Sequence, residues 1–145
     1  MSPGEKKVMV ATDGSAPARR AEREAARMAT ALGLDEIVVV YVVRRTGSAT
    51  GGFLAPKRED DEESAKWLVE LAVKRIQEFA PDLKVTPLVL DDPSPVRAIT
   101  KEVERGEYRS VVIGNRGRGG FGSMALGSVS TGVIHNVQVP VVLVK

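Results

Sequence analysis

Apolar runs alternate along the chain with segments of helical period. Lys7 to Thr12 (KVMVAT) is a short apolar run that ends at Asp13-Gly14-Ser15, and it predicts a first strand. Beyond it Ala18, Ala21, Ala25, Met28, Ala29 and Leu32 recur at helical spacing, with Gly33 placed as the stop. Glu36 to Val43 (EIVVVYVV) is rich in β-branched residues and nearly free of polar alternation, the pattern of a strand buried on both faces. Arg44 to Lys57 holds three glycines and one proline without any period and predicts a mobile loop.

The acidic run Glu59 to Glu63 opens a long helix, where carboxylates favour the positive end of the helix dipole. Its apolar stripe is Ala65, Leu68, Ala72, Ile76 and Phe79, and Pro81 stops it; Trp67 and Phe79 are expected in the core or in helix packing. Leu83 to Leu90 predicts a third strand, and Pro87 within it points to a sheet edge. Ser94 followed by Pro95 is a helix cap with proline at the first helical position, and that helix should run to about Arg105. Ser110 to Ile113 is a fourth strand, a glycine-rich stretch follows, then a helix from about Ser128 to Val137 and a last strand from Val139 to Val144. The order βαβαβαβαβ is that of an α/β protein, a single doubly wound parallel sheet of five strands with helices on both faces. One domain over residues 1–145 is expected. Such sheets bind ligands outside the carboxyl ends of their strands, where the strand order reverses.

Composition narrows the function. Apolar residues at 43% and charged residues at 28% are ordinary globular values, so a disordered or fibrous chain is excluded. The 21 Lys and Arg against 19 Asp and Glu leave a net charge of +2, which is no footprint for nucleic acid or an anionic membrane. No apolar stretch approaches the roughly 18 residues of a membrane span, and the start MSPGEKK lacks the apolar region of a signal peptide. A cytoplasmic protein is the expectation. With no cysteine and one histidine, thiol chemistry and the usual metal-ligand sets are gone.

Six glycines lie from Gly114 to Gly127, immediately before a predicted helix. Glycine lets backbone approach a ligand, and a helix start offers unpaired N–H groups and a positive dipole end to an anion, with the Ser128 hydroxyl beside them. A phosphate site is the physical reading. Gly117, Gly119 and Gly122 satisfy G-x-G-x-x-G, but they follow the fourth strand and the helix begins about five residues too late for a dinucleotide fold. Gly127-Ser128 lacks the lysine of a Walker A loop. Arg116 and Arg118 flank the glycines and could pair with a β- or γ-phosphate, although arginines in exposed loops usually face water. Asp13, just past the first strand, could accept bonds from ribose hydroxyls or hold a metal through phosphate; equally it could cap the first helix, and both could hold at once. The acidic run reads as dipole compensation before a divalent-ion site, and a lone His135 makes no triad.

One pattern fits fully. Gly114-x2-Gly117-x9-Gly127-Ser128 resembles the G-2x-G-9x-G-[S/T] signature of the nucleotide-binding universal stress proteins. The resemblance extends to the opening KVMVATDGSAPARRA, the strand VVVYVV, the segment DPSPVRAI and the close GSVSTGVIHNVQVPVVLVK. It implies a Rossmann-like sheet of order 3-2-1-4-5, of the adenine nucleotide alpha hydrolase-like kind. It also implies a nucleotide site in which Ala11, Thr12, Asp13 and Val42 serve the adenosine side, with Asp13 near the ribose hydroxyls. Gly114 and Gly117 would approach ribose and phosphate, and Gly127, Ser128 and Val129 would meet the phosphates, with Arg116 alongside. ATP or AMP is the implied ligand, with Mg²⁺ or Mn²⁺ carried on the phosphates.

The expected function is a regulatory protein of the universal stress response, a nucleotide-dependent switch or docking module for an unidentified protein partner. A slow ATPase or autophosphorylating enzyme is the alternative, but the sequence offers no evident base to orient water and no catalytic residue is assigned. A homodimer through the C-terminal strand is also expected. Val139 to Val144 (VPVVLV) is apolar on both faces, an edge that needs covering, and related stress proteins often pair there.

Overall fold

The computed structural model describes residues 6–44, 62–116 and 127–145. Nine elements follow in strict alternation: β1 (Lys7–Ala11), α1 (Ala16–Leu32), β2 (Glu36–Val43), α2 (Glu62–Phe79), β3 (Lys84–Asp91), α3 (Pro95–Gly106), β4 (Ser110–Gly114), α4 (Ser128–Asn136) and β5 (Val141–Val144). The five strands form one parallel sheet in the order β3-β2-β1-β4-β5. Strand order reverses between β1 and β4, whose ends lie side by side with Ala11 opposite Ile113. The fold expected from the alternation is therefore the one observed.

Alternate strand residues serve two apolar layers. Val8, Val10, Ile37, Val39, Tyr41 and Val43 pack with α1 and α2, while Met9, Val38, Val40, Val111 and Ile113 pack with α3 and α4. Helix α1 presents Ala18, Ala21, Ala25, Ala26 and Ala29 to the sheet, a face small enough for close approach. Ser15 caps its start, accepting from the Ala18 amide at 3.3 Å, and Gly33 ends it in the left-handed region at φ 65°. The cap Ser94 before Pro95 repeats this at α3, accepting from the Arg97 amide.

Three expectations need correction. Phe79 and Trp67 are not core residues: they are 51% and 65% exposed. The buried stripe of α2 is Ala65, Val69, Ala72 and Ile76, which keeps to 3.6 residues per turn and leaves Trp67 on the solvent side. Phe79 is the helix's last residue, and Ala80 enters the core in its place while the Arg23 guanidinium stacks on the Phe79 ring at 4.9 Å. The last strand begins at Val141, since Pro140 brings no N–H to the ladder, although its carbonyl accepts from the Val111 amide. Pro87 does lie on an edge strand, as expected. The predicted loop 44–57 and the acids Glu59, Asp60 and Asp61 lie outside the described residues except Arg44; Glu62 and Glu63 open α2. Among the described residues no helix is long and apolar enough to cross a membrane.

Candidate functional site at the carboxyl ends of strands 1 and 4

The turn after β1 is built from two consecutive side chains and a glycine. Thr12 is buried, its amide donates to the Val40 carbonyl at 2.9 Å, and its Oγ1 accepts from the Gly14 amide at 3.3 Å. Asp13 Oδ1 accepts from the Ser15 amide at 2.9 Å. Gly14 takes φ 81°, a conformation that side chains with a Cβ rarely adopt. The cap of α1 is thus Ser15 and not Asp13, and the second alternative for Asp13 is corrected: its carboxylate shapes the turn ahead of the cap.

Beside this turn runs the end of β4. Gly114 is buried, and a Cβ added there would stand 2.9 Å from the carbonyl carbon and Cβ of Pro17. Glycine at 114 is therefore required by the packing of α1 on β4, before any ligand is considered. Asn115 holds both neighbours: its amide donates to the Val144 carbonyl at 2.7 Å, and its carbonyl accepts from the Gly127 amide at 2.7 Å and the Ser130 hydroxyl at 2.9 Å. The flanks of the glycine-rich segment are stapled to each other by these bonds. Gly117 and Arg118 lie outside the described residues.

Helix α4 begins at Ser128 with Gly127 as its cap residue, and no side chain caps it. The first intrahelical bond runs from the Thr131 amide to the Gly127 carbonyl at 3.0 Å, so the amides of the first turn keep the donor capacity typical of an open helix start. Ser128 is exposed and Val129 half-buried. Arg116 is half-buried, and its Nε is enclosed without an acceptor. That corrects the reading of Arg116 as a solvated surface arginine and leaves one cationic donor beside an uncapped helix start. Ala11, Val42 and Val129 border the same apolar cluster on the α3–α4 side of the sheet. At the end of β3, two strands from β1, the Arg97 guanidinium and then the Ser94 amide hold the Asp92 carboxyl below its usual range. Among the described residues no three acidic or histidine side chains gather as a metal-binding group.

Two contributors were not foreseen. Ser130 is buried on the first turn of α4 and bonds Asn115; its place three residues after Gly127 was the available signal. Glu22 is buried on α1, bonded to Thr12 and to Arg75 of α2. A lone acid on an otherwise alanine face marked it, but its partner 53 residues away was not legible.

An uncapped helix start, the enclosed Nε of Arg116 and an apolar shelf thus lie together at the switch point of the sheet. Residues 5–145 match the family described as Universal stress protein family. A universal stress protein of Mycolicibacterium smegmatis is 32% identical over 138 residues, 95% of this chain and 45% of that protein. The Mycobacterium tuberculosis universal stress protein Rv2005c is 39% identical over 69 residues, 48% of this chain and 22% of that protein. The chain thus spans less than half the length of these curated relatives. Among solved structures, the universal stress protein of Archaeoglobus fulgidus in complex with dAMP is 26% identical, with a TM-score of 0.70 over 97% of this chain and 98% of that one. Spacing of the glycines, strand order and the match over residues 5–145 agree: the chain belongs to the universal stress protein family.

Proposed function

We propose that residues 1–145 form one nucleotide-binding domain that takes an adenine nucleotide, ATP or AMP, in the crevice between β1 and β4. The observation that carries the reading is a juxtaposition. The uncapped start of α4 and the acceptorless Nε of Arg116 flank the strand end that meets the Thr12–Asp13–Gly14 turn. Anions are favoured at a helix start, and a buried guanidinium donor without an acceptor favours a phosphate partner. The dAMP held by the Archaeoglobus fulgidus relative supports an adenine nucleotide.

In this reading the amides of Ser128 and Val129 and the Gly127 backbone meet the phosphates, with Arg116 beside them and Gly114 and Gly117 along the ribose–phosphate path. Ala11, Thr12 and Val42 line the adenosine side, and Asp13 accepts from the ribose hydroxyls. Mg²⁺ or Mn²⁺ enters on the phosphates. Nucleotide occupancy then changes what the domain docks against, in a homodimer paired through β5 and toward a further protein. Titration calorimetry with Mg-ATP tests the site. Gly127→Val should abolish binding while the far-ultraviolet circular dichroism stays that of the wild type. Unchanged ATP affinity in the variant would overturn the assignment.

A further inference from the structure

Glu22 is 1% exposed, yet it carries a carboxylate on the alanine face of α1. Taking a carboxylate out of water costs several kcal/mol even when it is paired, and apolar side chains of similar volume often pack as stably. The partners present satisfy it well. Arg75 on α2 forms a two-pronged contact, Nε to Oε2 and Nη2 to Oε1, each at 2.8 Å. The Thr12 hydroxyl donates to Oε1 at 2.9 Å. Because that hydroxyl has one proton, its orientation is fixed by Glu22, and its lone pairs are left to the Gly14 amide at 3.3 Å. Bonds therefore run without interruption from α2 through α1 into the turn that carries Asp13.

We infer that Arg75–Glu22–Thr12 is a positioning relay that sets the Asp13 carboxylate against the ribose hydroxyls of the bound nucleotide. The inference rests on the proposed nucleotide reading. Neither Arg75 nor Glu22 is assigned a contact with the ligand; they act through Thr12. Stability alone does not require this arrangement, since a charge-free α1–α2 contact would serve the core. The chain of bonds instead ties the turn at the site to α2, which packs beside α1 and against β2 and β3.

The test compares ATP with 2′,3′-dideoxy-ATP, which lacks the hydroxyls that Asp13 would hold. In the wild type ATP should bind about tenfold more tightly than the dideoxy nucleotide, the value of one hydrogen bond to a charged group. Thr12→Val should collapse that preference to within about twofold, and Thr12→Ser, which keeps the hydroxyl, should restore it. Arg75→Met should collapse it in the same way, and the double variant Thr12→Val/Arg75→Met should lose no more than the larger single loss. If Arg75→Met does not fold, Arg75→Lys takes its place, keeping the charge but losing the two-pronged contact with Glu22. It should lower the preference in the same direction, and a preference unchanged in it overturns the relay. A preference for ATP that survives Thr12→Val overturns the relay and leaves the nucleotide reading standing. Wild-type protein that binds neither nucleotide overturns the nucleotide reading and the relay with it.

Discussion

Replacing Gly114 with alanine should destabilise the ligand-free protein, whereas the same change at Gly127 should cost much less. Both glycines belong to the spaced pattern that points to a nucleotide, so a purely ligand-facing role would leave the stability of the empty protein alike in both variants. The structure separates them. A Cβ at 114 stands 2.9 Å from the Pro17 carbonyl carbon and Cβ and 3.1 Å from the Ala18 amide nitrogen. Carbon atoms prefer about 3.5–4.0 Å, so the first turn of α1 must retreat by roughly 0.6–1 Å. Most of the crowded atoms are backbone, which no change of rotamer moves, and overpacking of this kind costs about 1–3 kcal/mol. At Gly127 the backbone lies at φ −68° and ψ 158°, open to any residue, and the nearest atoms to a Cβ are Arg116 Cα at 3.3 Å and the Asn115 carbonyl at 3.4 Å. Alanine there gives up mainly a better cap residue, below about 1 kcal/mol. Urea unfolding followed by circular dichroism reads the difference, since the exposed Trp67 is a poor reporter of the core. With slopes of about 1–3 kcal/mol per molar urea, a loss of about 2 kcal/mol lowers the midpoint by roughly 0.7–2 M. Equal midpoints for the two variants, or a larger loss at Gly127, would refute the packing account of Gly114.

Burial first, and then the Glu102 carboxylate bonded at 2.8 Å, push the Tyr108 phenol far above its ordinary value. A phenol that holds its proton more tightly folded than unfolded contributes stability below its unfolded pKa of about 10, and that contribution is lost as pH rises beyond it. Wild-type urea midpoints should fall more steeply above about pH 10 than those of Tyr108→Phe; parallel pH profiles would contradict this. At β5, the Pro140 and Val144 carbonyls accept from Val111 and Asn115, so alternate residues bond inward and Val141 and Leu143 turn their amides to the open edge. Leu143→Pro should therefore convert a dimer to monomer in light scattering at micromolar concentration, and a monomeric wild type or an unchanged dimer in the variant would refute this interface. Phosphate release from Mg-ATP should stay well below the roughly 1–100 s⁻¹ of kinases, because a Walker lysine is missing. Release within that range, lost in Asp13→Ala at retained ATP binding, would make the protein an enzyme.

The strands and most helix boundaries were legible because local signals and burial agree. EIVVVYVV is a strand buried on both faces in any parallel sheet, and Gly33, Ser94 and Pro95 bound their helices by chemistry that acts within a few residues. The cap of α1, by contrast, was sought at Asp13 and lies at Ser15. Phe79 was misread because the apolar stripe was carried on to the last residue of α2, where Ala80 enters the core instead. Trp67 was misread because large size was taken for burial, although its helical phase faces solvent. At the site, the glycine pattern announced a close approach but not to what. For Gly114 the neighbour is Pro17, nearly a hundred residues earlier, and only the sheet order brings them together. Glu22 stood out as a lone acid on an alanine face, but its pairing with Arg75 was silent for the same reason: an ion pair between two helices has no local pattern on either.

The two sides of the proposed crevice are built with unequal completeness, and this difference sets where the proposed nucleotide should gain its binding energy. On the β1 side the Gly14, Ser15 and Ala18 amides each meet a side-chain oxygen, from Thr12, Asp13 and Ser15. On the α4 side the cap residue is glycine and supplies none. Binding free energy should therefore be gained chiefly at α4, and by linkage it stabilises the whole fold by about 2.7 kcal/mol at one hundred times Kd. That equals or exceeds most of the range expected for the Gly114→Ala loss, so the two effects can be set against each other. If alanine at 114 only pushes α1 away from β4, saturating ATP should return the variant's urea midpoint to about that of ligand-free wild type. If the methyl group also blocks the ribose–phosphate path, ATP should leave the variant's midpoint where it was. The ligand-dependent shift thus separates the glycine's packing role from a binding role, which affinity measurements on a partly destabilised variant would blend.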